Sequence, residues 1–365
     1  MHNMENFYFI LLILPVIALC ILANKTEKKL YLYISIVYLS LLVGLRGVNV
    51  GIDTVQYYDA INSGFPIKWK FEEIGFRYIS TVLMDVFKNA TIVILVYSFI
   101  TNGLLMLRLW DFRKHCNFPM MITLYLLIYI FFPMNIMRQF IAISIIFYST
   151  KLLDKKKYIL FLTIVLLTSL IHKTAFLSLI FILVYYWGTL TRKQKVLSLI
   201  PIFLMTAISL VYIIEFEDDH ISNYFSANNS INNLNITFIY RAIIFIISYL
   251  FYKSGKKIVV NNNHTFKNND ITIAQSDDYF NFKYISIFYL IGLLFSSTGM
   301  FFGYMNRIGL YYMCYEIVYW GFLIKNSKNR SLNFILIMIF AVYVFFVELI
   351  GNGSGIFPYQ TILLG

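Results

Sequence analysis

Charge is scarce in this chain. Asp, Glu, Lys and Arg make up 13% of its 365 residues, where a soluble domain carries roughly 25%. So few charged groups cannot cover a globular surface, and a mean hydropathy of +0.72 points the same way. Soluble enzymes, DNA-binding domains and disordered proteins are therefore disfavoured. Cysteine is also sparse. Cys20, Cys116 and Cys314 stand alone, with no CxxC and no histidine at metal-ligand spacing, so they read as small apolar residues in or beside helices. No Walker A or GxGxxG loop offers a nucleotide cradle in the polar connections, no acidic DxD pair asks for a metal, and no 20–50-residue repeat is evident. No signal peptide is expected of the first apolar run, which has no basic stretch before it and a lysine-rich anchor behind it, and no small residue precedes Cys20 as a lipobox needs.

What the chain has is apolar runs of bilayer length, roughly 20 residues each. Twelve are expected, at about 7–24, 30–46, 90–109, 118–133, 136–153, 158–172, 174–190, 196–214, 236–252, 282–299, 307–324 and 331–349. Segment 73–88 is apolar but interrupted by Arg77, Asp85 and Lys88, and reads as an interfacial or re-entrant helix. The expected fold is all-α: one polytopic transmembrane domain over 1–365, with outer loops at about 47–75 and 215–235 and a polar, Asn-rich cytoplasmic linker at about 253–281.

The net charge of +12 is unevenly placed. Six alternate connections, from KTEKK at 25–29 to KNSKNR at 325–330, hold 21 basic and 6 acidic residues. By the positive-inside rule these face the cytoplasm, which puts both termini outside. The basic balance therefore orients helices and is no sign of a nucleic-acid partner. Everything else is slightly acidic, and four arginines stand out there. Arg46, Arg138, Arg241 and Arg307 all fall near the outer end of a span, against the positive-inside trend. One such arginine is readily explained by snorkelling. Four on one leaflet suggest an anion site, because guanidinium forks match phosphate oxygens.

His172 ends the sixth span on the same side, where a neutral imidazole can take a proton near neutral pH. The first outer loop, RGVNVGIDTVQYYDA, offers Asp53 and Thr54 as a helix cap or a hydroxyl-binding pair. Asp53, Asp59, Glu72 and Glu73 are its carboxylates, any of which could orient His172 or bond a sugar. Tyr57, Tyr58 and Trp69 are candidate sugar-stacking residues. Glu316, in mid-span, together with Arg241 and Glu348 reads either as an ion pathway or as structural pairing.

Taken together, these segments resemble the EpsG-type branch of Wzy polysaccharide polymerases. The resemblance rests on Arg46 followed by Gly51-Ile52-Asp53-Thr54 with Tyr57 and Tyr58; on Glu73-Ile74-Gly75-Phe76; on Asn135-Ile136-Met137-Arg138-Gln139 with Ile141-Ala142; on Ile171-His172-Lys173-Thr174-Ala175; and on Asn306-Arg307 and Phe357-Pro358-Tyr359. It implies a GT-C-like membrane glycosyltransferase at the outer face of a bacterial cytoplasmic membrane. Such an enzyme moves the growing glycan from undecaprenyl diphosphate to an incoming lipid-linked repeat, without cofactor or metal. A flippase and a chain-length regulator of the same pathway are the implied partners. In that setting Arg138, Arg307, Arg46 and Arg241 are expected to bind the diphosphate, and His172 to act as base. Asp53 would be an acceptor ligand or the partner of His172, and Thr54, Tyr57, Tyr58, Glu73 and Gln139 would serve the acceptor side. The competing expectations are a transporter or flippase of lipid-linked oligosaccharide, an O-antigen-ligase-like transferase, and a non-catalytic scaffold.

Overall fold

In a computed structural model, residues 2–65, 73–187, 237–250, 282–298, 303–327 and 329–362 are described. Helices follow one another throughout: α1 (His2–Thr26), α2 (Lys29–Gly44), α3 (Thr54–Asn62), α4 (Ile74–Phe87), α5 (Ala90–Asp111), α6 (Phe118–Leu124), α7 (Phe131–Asn135), α8 (Met137–Ser149), α9 (Lys151–Asp154), α10 (Tyr158–Ser169) and α11 (Leu179–Trp187). Then come α12 (Thr237–Leu250), α13 (Phe282–Thr298), α14 (Gly303–Asn326) and α15 (Arg330–Gly351). No strand occurs among the described residues. This is what a bilayer demands, since a helix satisfies its own backbone without water.

Tyr8–Thr26, Ala90–Asp111 and Arg330–Gly351 are long and apolar enough to cross a membrane, and six shorter apolar helices accompany them. Three expected spans take a different form. The 118–133 run is broken by a π-helical turn at Tyr125–Tyr129. The 174–190 run opens as a 3₁₀ turn at Lys173–Ser178 before α11. The 307–324 run begins earlier, at Gly303. The expected span 196–214, the outer loop 215–235 and the linker 253–281 lie outside the described residues.

The chain forms two compact units. The first holds Met1–Tyr148, Leu166–Ala175 and Trp320–Gly365. Here α2 and α5 run antiparallel in close contact. A Cβ on Gly44 would meet Leu95 Cα at 2.8 Å, while Gly103 faces Ile36 at the other end of the pair. Small residues permit such approach between apolar helices. A polar ladder lies within: Tyr125 Oη donates to Asn102 Oδ1 (2.8 Å), Asn102 Nδ2 to Ser98 O (3.1 Å), and Ser98 Oγ to Ser40 O (2.9 Å). Asn89 caps α5 by accepting from Thr91 N (2.8 Å), and Asn117 caps α6 by accepting from Met120 N (3.2 Å), each meeting donors a helix start leaves open.

The ends of these helices segregate by chemistry. At one end Asn117 N donates to Gly321 O (2.9 Å) and Lys325 Nζ to Lys114 O (2.6 Å), amid the Lys/Arg-rich turns. At the other, the tail after α15 folds back along the segment after α2. Gly47 N donates to Gln360 O (2.8 Å), Gly51 N to Gly355 O (2.9 Å), Ile52 N to Ser354 O (3.1 Å) and Ile362 N to Leu45 O (2.9 Å). Phe357 anchors this strap against Phe9 and Phe131.

The second unit comprises Ser149–Val165 and Phe176–Tyr319. Its core is aromatic, with Phe181 against Phe288 (4.6 Å) and Tyr312 (4.8 Å). Glu316 is fully buried there. It accepts from Arg241 Nε (3.0 Å) and Tyr289 Oη (2.9 Å), which makes these intramembrane charges a hydrogen-bonded pair.

One contact tests the packing of the first unit. A Cβ on Gly75 would lie 2.8 Å from the carbonyl carbon and oxygen of Leu170, all backbone, whereas a Cβ on Gly103 meets only Ile36 at 3.8 Å. Gly75→Ala should therefore cost about 1–3 kcal/mol by overpacking. Gly103→Ala should be neutral or gain up to about 1 kcal/mol from helix propensity. Melting temperatures in detergent check the contrast, and equal values would deny the close approach.

Candidate functional site

Glu73 stands immediately before α4. Gly75 lets that helix start against the end of α10, where Gly75 N donates to Leu170 O (2.8 Å). The α10 helix finishes with Ile171 N and His172 N both bonded to Thr168 O (2.9 and 3.0 Å), which turns His172 towards Glu73. His172 Nδ1 pairs with Glu73 Oε1, and Lys173 N donates to the same oxygen (3.4 Å). The other oxygen, Oε2, accepts from Arg138 Nη1 at 2.7 Å, placed by the first turn of α8. One carboxylate thus holds two of the residues expected to do chemistry.

The electrostatics of the cluster follow from its burial. Side-chain exposure is 7% for Glu73, 19% for Arg138 and 15% for His172. Burial alone would raise the Glu73 carboxyl, but the His172 hydrogen bond and the nearby His172 and Arg138 charges outweigh it and hold Glu73 below the usual range. An ionised carboxylate only accepts hydrogen bonds, so His172 must carry a proton on Nδ1. In the neutral imidazole the lone pair is then on Nε2. Tyr57 closes the cluster. The Arg138 guanidinium lies 5.6 Å from the Tyr57 ring centroid and 5.8 Å from that of Phe76. Burial raises the Tyr57 phenol while Arg138, which it hydrogen-bonds, pulls it down; the charges of Asp53 and Glu73 also reach it.

The first loop is clamped from two sides. Gly51 has a φ of +92°, and a Cβ there would sit 2.6 Å from Met134 O, so only glycine fits. Thr54 Oγ1 donates to Val50 O (2.7 Å) and Met134 O (3.1 Å) and accepts from Arg46 Nε (3.2 Å). Arg46 is only 2% exposed, and its Nη1 donates to Val43 O (2.6 Å). Asp53 occupies the N-cap position of α3, yet its side chain makes no capping bond. Its backbone N–H is instead held by Asn135 Oδ1 (3.1 Å).

The expected site residues therefore divide. Asp53, Tyr57, Glu73, Arg138 and His172 come together. Arg46 and Thr54 are buried beneath the loop, Gln139 is buried on α8, and Tyr58 packs against the cluster around Tyr57 and Phe76. Arg241 and Arg307 belong to the second unit, where Arg241 is paired with Glu316 and Arg307 lies just past the first turn of α14. The partner of His172 is Glu73 rather than Asp53. From sequence Glu73 is one of four loop carboxylates; the glycine two residues on was the available signal that its helix start meets another backbone. Asn135 was marked only as part of the segment Asn135–Gln139, and Ser354 had no signal of its own. Among the described residues no three His, Cys, Asp or Glu side chains converge as a metal site. A cavity of about 550 Å³ lies between α1, α2 and the strap, lined by Leu12, Tyr38, Leu42, Leu45, Tyr359 and Ile362 among others.

Because the Glu73 carboxyl is depressed in the folded protein, its contribution to stability is fully present above the ordinary glutamate value of about 4.3. It is lost as pH falls through the lower folded value. The wild type should lose thermal stability below about pH 4.3, and Glu73→Gln should be less stable at neutral pH with a flatter acid limb. Melting curves across pH 3–7 check this, and parallel curves would contradict it.

The geometry can be set beside known proteins. No curated protein and no solved structure matches the chain. A family model does, over residues 29–361, a stretch that contains every member of the Glu73 cluster. This is a membrane protein of polysaccharide-polymerase type, and the chain belongs to the EpsG family.

Proposed function

We propose that this protein polymerises lipid-linked oligosaccharide repeats at the outer face of the bacterial cytoplasmic membrane, transferring the growing glycan from undecaprenyl diphosphate to an incoming repeat. The supporting observation is the Glu73 carboxylate shared between His172 and Arg138. A base oriented by a carboxylate and a guanidinium held beside it are the two groups that glycosyl transfer from a diphosphate needs. The expected twelve-span arrangement with both termini outside would put the cluster on the outer face.

In this reaction His172 Nε2 takes the proton of the acceptor hydroxyl as its oxygen attacks the anomeric carbon. The bond from that carbon to the diphosphate oxygen breaks, its electron pair goes to the diphosphate, and undecaprenyl diphosphate leaves. Glu73 stabilises the imidazolium that forms and fixes the ring's tautomer. Arg138 meets the negative charge developing on the leaving oxygen, so it stabilises the transition state more than the ground state. Arg46 supports the loop from below, and Arg241 stays paired with Glu316. Asp53 is assigned to the acceptor hydroxyls, beside Tyr57, Tyr58, Thr54 and Gln139. The apolar cavity between α1, α2 and the strap suits part of the polyprenyl chain. No cofactor or metal enters these steps. A flippase supplying the repeats and a chain-length regulator are the proposed partners.

The decisive experiment supplies the purified protein in liposomes with lipid-linked repeats, a chelator and no nucleotide. A ladder of polymers is expected; repeats crossing the bilayer unchanged would instead make the protein a flippase. His172→Ala should lower the rate by about 10²–10⁴-fold, and Arg138→Ala by about 10²–10³-fold, with single lipid-linked repeats accumulating in cells. Arg138→Lys should also fail, because a point charge cannot reproduce the planar fork. Normal polymer length in that variant would argue against bidentate binding.

A further inference from the structure

Tyr57 belongs to the Glu73 cluster, yet its ring is poorly placed to stack on a sugar. It stands at the end of the first turn of α3 and is only 5% exposed. The ring packs among Phe65, Phe76, Val93 and Met137, and it meets Phe76 edge-on with centroids 6.1 Å apart. A ring so buried offers a sugar no open face. Its contacts lead to Arg138 instead. The guanidinium lies 5.6 Å from the Tyr57 centroid and 5.8 Å from that of Phe76, and the Tyr57 hydroxyl hydrogen-bonds it. Glu73 Oε2 accepts from Nη1 of the same guanidinium at 2.7 Å. Arg138 is therefore bounded by a carboxylate, a phenol and two rings. Phe76 is in the first turn of α4, three residues after Glu73, so the Gly75–Leu170 backbone contact registers both of them at once.

We propose that Tyr57 is a positioning residue for the donor side, whose hydroxyl and ring hold the Arg138 guanidinium in the plane in which it meets the diphosphate leaving group. The proposal rests on the polymerase reading of the site. A guanidinium is a planar fork, and its match to phosphate oxygens depends on that plane as well as on distance. The Nη1 bond to Glu73 fixes where the fork is but lets it rotate about that bond. The phenol adds a second point of attachment, and the ring face favours one orientation of the cation above it. Orientation matters most once the bond to the anomeric carbon has stretched. The departing diphosphate then carries negative charge that the intact donor lacks, so a correctly set Arg138 favours the transition state and the product over the bound donor. Tyr57 thus acts through Arg138 and touches neither sugar nor phosphate itself.

The test uses the full-length protein, with two probes bound in detergent, undecaprenyl diphosphate and the lipid-linked repeat, and single-turnover polymerisation measured in proteoliposomes. Tyr57→Phe keeps the ring and loses only the hydroxyl. It should weaken undecaprenyl diphosphate about tenfold and slow turnover by a similar factor, as expected for one hydrogen bond to a charged group. Its affinity for the intact lipid-linked repeat should stay within about threefold of wild type, because the extra charge is not yet present there. Tyr57→Leu, which loses the ring as well, should slow turnover by about 10²-fold. Added to Arg138→Ala, Tyr57→Phe should cost nothing further, since a residue acting through another has no independent effect. Wild-type behaviour of Tyr57→Phe, equal losses of affinity for both probes, or a full additional loss on top of Arg138→Ala would each overturn the proposal. A rate deficit in Tyr57→Phe that vanishes at lower assay temperature would also overturn it, by showing a role in stability alone. A wild type that binds both lipids yet forms no polymer would count against the polymerase reading instead, while the diphosphate affinities still decide the role of Tyr57.

Discussion

The site depends on one carboxylate. Glu73 is almost fully buried and charged, and a buried charge persists only if it is paired and its lone pairs are used. Here both oxygens are used, one by His172 and Lys173 N, the other by Arg138. The arrangement stabilises all members together: Arg138 is relieved of an unpaired charge near the membrane, and His172 is held in one tautomer. Removing Glu73 would take away the Oε2 acceptor of Arg138 and leave the imidazole without its orientation. The backbone contact at Gly75 makes this possible, because any side chain there would push the α4 start away from Leu170 and carry Glu73 with it.

Around that carboxylate, the first unit is organised so that distant segments meet at one end. The segment after α2, the turn between α7 and α8, the end of α10 and the strap after α15 are all joined there by backbone or buried side-chain hydrogen bonds. Near a bilayer surface such loops need partners for their polar groups, and these loops find them in one another. The result is a rigid floor of Arg46, Thr54 and Met134 O beneath Asp53 and Tyr57. The second unit solves its own charge problem by pairing Arg241 with Glu316 under the Tyr289 hydroxyl.

Much of the helical order was legible from hydropathy, because bilayer-length apolar runs have few alternatives. The break at Tyr125–Tyr129 was not legible, since a π turn leaves no trace in mean hydropathy, and its Tyr125–Asn102 bond is tertiary. Arg138 and His172 stood out because they lie on the side where basic residues are rare. Glu73 did not, since its partners are 65 and 99 residues away and one sequence holds no distances. For the same reason the Asn135 contact on the Asp53 backbone and the Glu316 partner of Arg241 were not legible. Family membership over residues 29–361 ties these separate signals to one fold.

In the proposed reaction Glu73 acts as an ionised carboxylate joining base to anion site. The measurement that tests it most directly is single-turnover polymerisation in proteoliposomes with Glu73→Gln, whose side chain keeps the shape but not the charge. This variant should insert and fold yet elongate lipid-linked repeats at least about 10²-fold more slowly than wild type, in the range of losing a positioned catalytic group. Elongation by Glu73→Gln at the wild-type rate would contradict it.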